Sequence, residues 1–393
     1  LTSVSDLVAD VHASEWGRIV GGLIRVTGDW SLAEDATQDA FATALTRWPI
    51  DGIPNNPGAW LTTTARNRAI DRLRSAGTER ARAKEVSMMG STTDEDIQDD
   101  RLRLIFTCCH PALPLAARVA LTLRTVAGLT VAEIASSFVV PEATMAQRLV
   151  RARQKISHAG IPYRVPPAEL LGDRLGGVLA VIYLAFNEGY SSVSRNELAD
   201  TAVRLASAVV DLMPTEPEAR GLLALLLLQN SRRDARVGRG GELLTLEEQD
   251  RSLWHRDEID RGLRILSSAR SPYMLQASIA ACHARAASAD STDWASIVTL
   301  YDSLLALGDS PTIQIGRAIA LGMRDGPSAG LDILDSLSLP GYRWLPAAQG
   351  DLLLRTGDVD GAVARFLEAL ALTTAEPERA DLERRIALIA GRA

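Results

Sequence analysis

Apolar residues recur along this chain at three- and four-residue steps, the period of a helix with one buried face. From Ser5 to Thr27 the stripe is Leu7, Val11, Trp16, Ile19, Val20, Leu23 and Ile24, which predicts one long helix or a pair, broken at Gly28-Asp29. A second stripe, Ala36, Ala40, Phe41, Ala44, Leu45 and Trp48, follows Ser31 and Glu34, spaced as a capping box. The Pro, Gly and Asn of residues 49–58 predict a loop, with Asn56 as N-cap and Pro57 at the first position of a third helix. That helix turns Trp60, Leu61, Ala65, Ala69 and Leu73 inward. Residues 78–100 hold too few apolar positions for a core and read as a linker ending in an acidic run, 94–100. Two helices then bracket Pro111 and Pro114. Thr130 and Glu133 form another capping box before a short helix, and Pro141 opens the next, whose Met145, Leu149 and Ile156 face inward. Residues 160–167 predict a second boundary, and from Gly172 onward the periodicity is helical with no strand signature.

At 393 residues and 47% hydrophobic, the chain has room for two or three globular domains. The formal charge of −7 lies wholly beyond residue 160, because residues 1–160 hold 18 cations and 18 anions. A nucleic-acid binder needs only local basic patches, and residues 66–84 and 148–155 supply two. Three cysteines with no C-x-x-C pair predict reduced thiols and a cytoplasmic protein. Cys108, Cys109 and His110 are consecutive, and neighbours on a helix diverge by about 100°, so neither a metal site nor a cofactor is expected. The apolar runs Val178–Phe186 and Leu222–Leu228 are too short to span a bilayer, and no signal peptide is recognisable, so no membrane association is expected. Leu1 in place of Met predicts a natural start that differs from this one.

Candidate chemistry lies off the apolar stripes. Asp35, Gln38 and Asp39 make a small acidic–amide surface, either a solvated face or a dock for a basic partner. Arg66, Asn67, Arg68, Arg72 and Arg74 project from the third helix beside the loop that holds Asn55 and Asn56. Such a helix suits holding a strand's phosphates while unstacked bases meet the loop. Trp60 reads equally as a melting wedge or as core. Residues 129–155 have the form of a helix-turn-helix, with Thr144 and Gln147 near the start of the second helix for base edges. Arg148, Arg151, Arg153 and Lys155 follow for phosphates, with no acid among them; a helical hairpin with a solvated basic face is the alternative. Further on, Glu188 with Asp250 or His255 would make an acid–base pair, but structural ion pairs explain them as well, and no enzymatic activity is expected.

Three motifs in order give the first 160 residues a family likeness: D-A-x-Q-D-x-F (Asp35 to Phe41), W-L-x-x-x-A-R-N-x-x-x-D-x-L-R (Trp60 to Arg74), and the helix-turn-helix ending R-L-x-R-A-R (Arg148 to Arg153). The chain resembles an extracytoplasmic-function (ECF) sigma factor of the sigma-70 family. That resemblance implies an all-α fold with region 2 at 5–77, a linker at 78–100 and region 4 at 101–158. It implies core RNA polymerase docking at Asp35, Gln38, Asp39 and Phe41. It further implies −10 melting and reading by the 49–58 loop and the Trp60–Arg74 helix, and −35 reading by residues 129–155. Pro141 stands where a Ser or similar cap is common, and the melting helix is poor in aromatics.

Near the C-terminus, Gly350, Ala362, Phe366 and Ala369 have the small–small–large–small spacing of a tetratricopeptide repeat. Ala329, Ile333 and Ser336 echo it 33 residues upstream, and residues 293–307 echo it more weakly. The chain is therefore similar to ECF sigma factors with a helical extension (170–285) and tetratricopeptide-like repeats (286–393), whose concave face is expected to take a protein or ligand. In that subgroup the extension is implied to control sigma activity. A one-component helix-turn-helix regulator with a repeat-type sensor is the competing expectation, although it has no need of the Asp35–Phe41 surface.

Overall fold

The computed structural model describes residues 4–76, 94–138, 140–190, 196–238, 242–373 and 376–390. Most of the 78–100 linker lies outside them. The described residues form helices and turns, with one isolated bridge, Val237 to Leu243. They divide into two compact units, 1–188 and 189–393.

The first unit holds α1 (Val4–Thr27), α2 (Trp30–Asp51), α3 (Pro57–Ala76), α4 (Asp94–Cys108), α5 (Leu115–Thr125), α6 (Val131–Ser137), α7 (Glu142–His158) and most of α8 (Ala168–Tyr190). Four local expectations change here. Asp29, not Ser31, caps α2, its carboxylate accepting from Leu32 N at 3.1 Å once Gly28 (φ 63) has turned the chain. This early start sends Glu34 into the interior. Helix α2 also continues through Pro49, which has no N–H to donate to the Leu45 carbonyl, as far as Asp51, and Gly52 (φ 86) ends it. Helix α4 begins inside the acidic run that read as linker. One of those acids is a core residue: the Asp100 side chain, 1% exposed, accepts from Arg25 at 2.7 Å and Arg103 at 2.8 Å. Burial pushes the Asp100 carboxyl up, against the opposing pull of the two guanidiniums. Finally, the expected boundary at 160–167 does not end the unit. The buried Tyr163 hydroxyl reaches Gly21 O at 2.9 Å and Asp100 O at 3.1 Å, and a Cβ added to Gly177 of α8 would lie 3.6 Å from Arg118.

Helix α1 is the hub of this unit. A Cβ on Gly17 would sit 2.6 Å from the carbonyl oxygen of Val126, so only glycine lets α1 lie directly on the turn after α5. Trp16, Ile19, Val20 and Ile24 fill the space between α1 and its neighbours.

The second unit holds α9 (Asn196–Leu212), α10 (Pro217–Asn230), α11 (Arg256–Ile265), α12 (Pro272–Arg285), α13 (Trp294–Leu307), α14 (Pro311–Asp325), α15 (Pro327–Ser336), α16 (Trp344–Thr356), α17 (Val359–Leu372) and α18 (Glu376–Ala390). Leu222 to Leu228 of α10 are all buried, as a helix surrounded by others requires. The α16–α17 pair is tetratricopeptide-like: an added Cβ on Gly350 would meet the Phe366 ring at 2.7 Å, and Ala362, Phe366 and Ala369 are fully buried. The upstream copy, α14–α15, is offset by one from expectation. Its buried positions are Ala318, Gly330 and Leu334, 32 residues before Gly350, Ala362 and Phe366, whereas Ile333 is only half-buried and Ser336 is exposed.

Candidate nucleic-acid interface

The α6–α7 element is a helix-turn-helix. Both capping-box bonds form at its start, Thr130 Oγ1 accepting from Glu133 N at 3.2 Å and the Glu133 carboxylate accepting from Thr130 N at 2.6 Å. Pro141 precedes α7, and Met145, Leu149, Ala152 and Ile156 are its buried face. Thr144, Gln147 and Arg151 are exposed on the opposite side and Arg148 is half-buried. Arg151 donates to the Gln147 side chain at 3.3 Å, and neither Arg148 nor Arg151 has an ion pair among the described residues. These four side chains form a basic, hydrogen-bonding face.

Arg153 is different. It points inward and binds Glu34 of α2 at 2.6 Å. The same carboxylate, 4% exposed, accepts from Arg124 Nε at 3.1 Å and Thr125 Oγ1 at 3.2 Å. One buried acid thus joins α2, α5 and α7. Arg153, expected on DNA, is held in this cluster, where it shares one interior carboxylate with Arg124. Glu34 itself read as a cap, and no local signal links it to a residue 119 positions away.

The second basic surface is α3. Asn56 caps it, its side chain accepting from Ala59 N at 3.0 Å, and Asn55 beside it is exposed. Ile50 (84% exposed) and Ile53 (47%) flank these amides, an apolar contribution to the loop that the periodicity did not single out. Trp60 is half-buried and meets the buried Trp48 edge-on, ring centroids 5.5 Å apart, so its indole is largely committed to packing. Asn67, Arg68 and Arg74 are exposed and Arg66 is half-buried. Arg72 turns toward α2, donating to Asp35 at 2.9 Å and to Asp39 at 2.7 Å. Residues expected on two separate surfaces therefore share one ion-pair bridge. Gln38 is exposed next to it. Phe41 is 5% exposed and packs on His12 and Trp16, so it holds α2 in place and is not part of the outer surface, contrary to expectation.

Elsewhere, candidate chemistry is not brought together. Asp250 accepts from Ser252, and His255 Nε2 lies 2.7 Å from Asp234 instead; the side chain of Glu188 lies outside the described residues. Burial pushes the Cys108 thiol far up and that of Cys109 to about 11, keeping both protonated. No described helix is long and apolar enough to cross a membrane.

Residues 16–79 match the family model for sigma-70 region 2, and residues 103–156 match the model for sigma-70 region 4. Residues 174–270 match a family of unknown function (DUF6596), a stretch that runs across the division between the units. With the helix-turn-helix and the α2–α3 surface in this order, the chain belongs to the ECF group of the sigma-70 family and carries a long C-terminal extension. An uncharacterized protein of Rhizobium meliloti is 41% identical over 384 residues, 92% of this chain and 90% of that one. The probable ECF RNA polymerase sigma factor SigI of Mycobacterium tuberculosis is 30% identical over 42% of this chain and 60% of its own length. The ECF RNA polymerase sigma factor SigK of Mycobacterium ulcerans is 30% identical over 34% and 74%. Among solved structures, yeast Tom70 superposes with a TM-score of 0.35 at 11% identity, covering 99% of this chain and 85% of that one, too loosely to bear on the fold.

Proposed function

We propose that this chain binds core RNA polymerase through the outer face of α2, reads and melts promoter DNA with α7, α3 and the loop before α3, and initiates transcription under the control of its second unit. The observation that carries this reading is the exposed pair of basic faces on α3 and α7 in a chain of sigma-70 regions 2 and 4. Arginine behind short polar side chains suits a helix entering a major groove, with Thr144 and Gln147 toward base edges and Arg148 and Arg151 toward phosphates. Asn55, Asn56, Ile50 and Ile53 give the loop amide and apolar contacts for an unstacked base, with Arg66, Asn67, Arg68 and Arg74 beside it for the strand's backbone. Asp35, Gln38 and Asp39 offer the polymerase an acidic surface. The uncharacterized relative's match over the whole length supports treating the extension as part of the working protein.

Run-off transcription with purified core polymerase tests this, comparing the full chain with a form ending at residue 190, the end of α8. Initiation by the full chain, lost on Asp35→Arg and altered about tenfold or more by the truncation, is the expected result. No initiation on the upstream regions of the genes adjoining its own would overturn the reading. Equal output from both forms would remove control by the second unit.

A further inference from the structure

The inner face of the second unit encloses a cavity of about 860 Å³ and an adjoining one of about 420 Å³, which share Ile319, Asp351 and Arg385 in their walls. Neither is lined by helices alone. The segment 242–250, between α10 and α11, crosses this face, placing Leu246, Glu247 and Glu248 in the larger cavity and Leu243 in the smaller. Its two ends are fixed. At the start, Leu244 N donates to Arg236 O at 2.8 Å and Gly238 N to Glu242 O at 2.8 Å. Past the far end, Arg251 donates to the carbonyls of His283 and Ala286, both at 2.7 Å.

The middle is held lightly. Leu246 rests half-buried on the cluster of Leu228, Trp254 and Ile259. Glu247 pairs with Arg355 of α16, and Glu248 accepts twice from Arg384 of α18, at 2.9 and 3.1 Å. The side chains in these pairs are 24–46% exposed, a setting in which an ion pair contributes about 0–1 kcal/mol. Without the segment's own two glutamates, the larger cavity is lined by Arg251, Arg355, Arg384 and Arg385 against the single carboxylate of Asp351. Trp294, Met323 and Phe366 give it an apolar floor.

We infer that residues 245–248 are a built-in occupant of a protein-binding groove, and that the partner displacing them presents a turn of like chemistry, an apolar residue followed by two carboxylates, to Leu246's seat, Arg355 and Arg384. The inference rests on the reading of the second unit as the controlling element and names what that unit would sense. Bound within its own chain, the strap competes at an effective concentration of about millimolar, so the groove is masked until a partner with more contacts arrives. Release of the strap leaves both anchors in place, so displacement does not require the unit to unfold.

The probe is a fluorescent synthetic peptide of residues 243–250, followed by anisotropy against the full chain carrying Leu246→Ser, Glu247→Ser and Glu248→Ser together. We expect saturable binding about tenfold or more tighter than to the unaltered chain, weakened by salt, and lost when Arg355→Glu and Arg384→Glu are added. Binding that is equal in the unaltered chain, indifferent to the two arginines, or abolished by free glutamate at the peptide's concentration overturns the inference. If the triple variant does not fold, hydrogen exchange on the unaltered chain decides. Amides of 245–248 should exchange about tenfold or more ahead of those in α16 and α18, and exchange only together with them refutes the strap. The readouts need no polymerase. Failure here with transcription intact removes this inference alone, and failure of initiation with binding intact removes the sigma reading alone.

Discussion

Replacing Glu34 by Gln keeps the shape of the side chain and removes the charge that two guanidiniums share. In the native chain one carboxylate oxygen meets Arg153 at 2.6 Å and Thr125 at 3.2 Å, and the other meets Arg124 at 3.1 Å. Glutamine can accept on one oxygen only, so its NH2 must face a guanidinium, donor against donor. Opposite charges about 4 Å apart at an effective dielectric of 20 attract by about 4 kcal/mol. Breaking a fully buried pair from one side costs about 3–5 kcal/mol. The discount is modest, because the Arg124 and Arg153 side chains are 15% and 21% exposed and Arg124 keeps its bond to Leu129 O at 3.0 Å. The expected loss is about 2–4 kcal/mol of first-unit stability. Urea melts read by tryptophan fluorescence should report it, since Trp16 lies 5.8 Å from the Arg124 guanidinium. A double-mutant cycle with Arg153→Met should return a coupling above about 1 kcal/mol. A loss below about 0.5 kcal/mol, or a coupling near zero, would refute the view that this acid holds α2, α5 and α7 together.

Four further expectations follow from the same geometry. Gly17→Ala, whose methyl would lie 2.6 Å from Val126 O, should cost about 1–3 kcal/mol in the same melts, and a neutral result would mean α1 and the α5–α6 turn are not packed as described. Arg148→Ala and Arg151→Ala should each weaken duplex promoter binding and lower the salt slope by about one, as lost phosphate contacts do; an unchanged slope assigns them elsewhere. Asp35→Arg should abolish initiation with little effect on stability, because its partner Arg72 is 41% exposed; a stability loss above about 1 kcal/mol would make the bridge structural. His283, lowered to about 4 by burial and by Arg232 and Arg251, binds its proton less readily folded than unfolded. Stability of the second unit should therefore fall as pH drops below about 6.5 and level off near 4, by up to about 3 kcal/mol, and His283→Gln should flatten that window.

The elements that were legible in the sequence are those whose determinants are neighbours. Thr130 and Glu133 are three residues apart, and both of their bonds form. Asn56 caps α3 because the residues it serves follow at once. The basic face of α7 was readable from Met145, Leu149 and Ile156, since placing the buried stripe places its opposite. What failed depends on distant partners. Asp100 is one of seven residues in a run that is otherwise solvent-like in composition, and its partners inside are Arg25, 75 positions earlier, and Arg103. Arg153 looks like Arg151 until Glu34 arrives from another helix. The repeat was found but set one residue off, because Ala329 and Gly330 are both small and the approach of Ala318 O and Leu352, each 2.6 Å from an added Cβ on Gly330, tells which faces inward.

The bridge from Arg72 to Asp35 and Asp39 makes two proposed contacts draw on one another. A partner that engages the two carboxylates leaves Arg72 unneutralised and therefore more receptive to a phosphate. A phosphate that takes Arg72 leaves the carboxylates free in turn. Thermodynamic linkage requires the two effects to be equal, so whatever polymerase gains from DNA, DNA gains from polymerase. With all three side chains 41–58% exposed, that mutual gain is about 1 kcal/mol at most, a bias toward the assembled state that neither contact would supply alone.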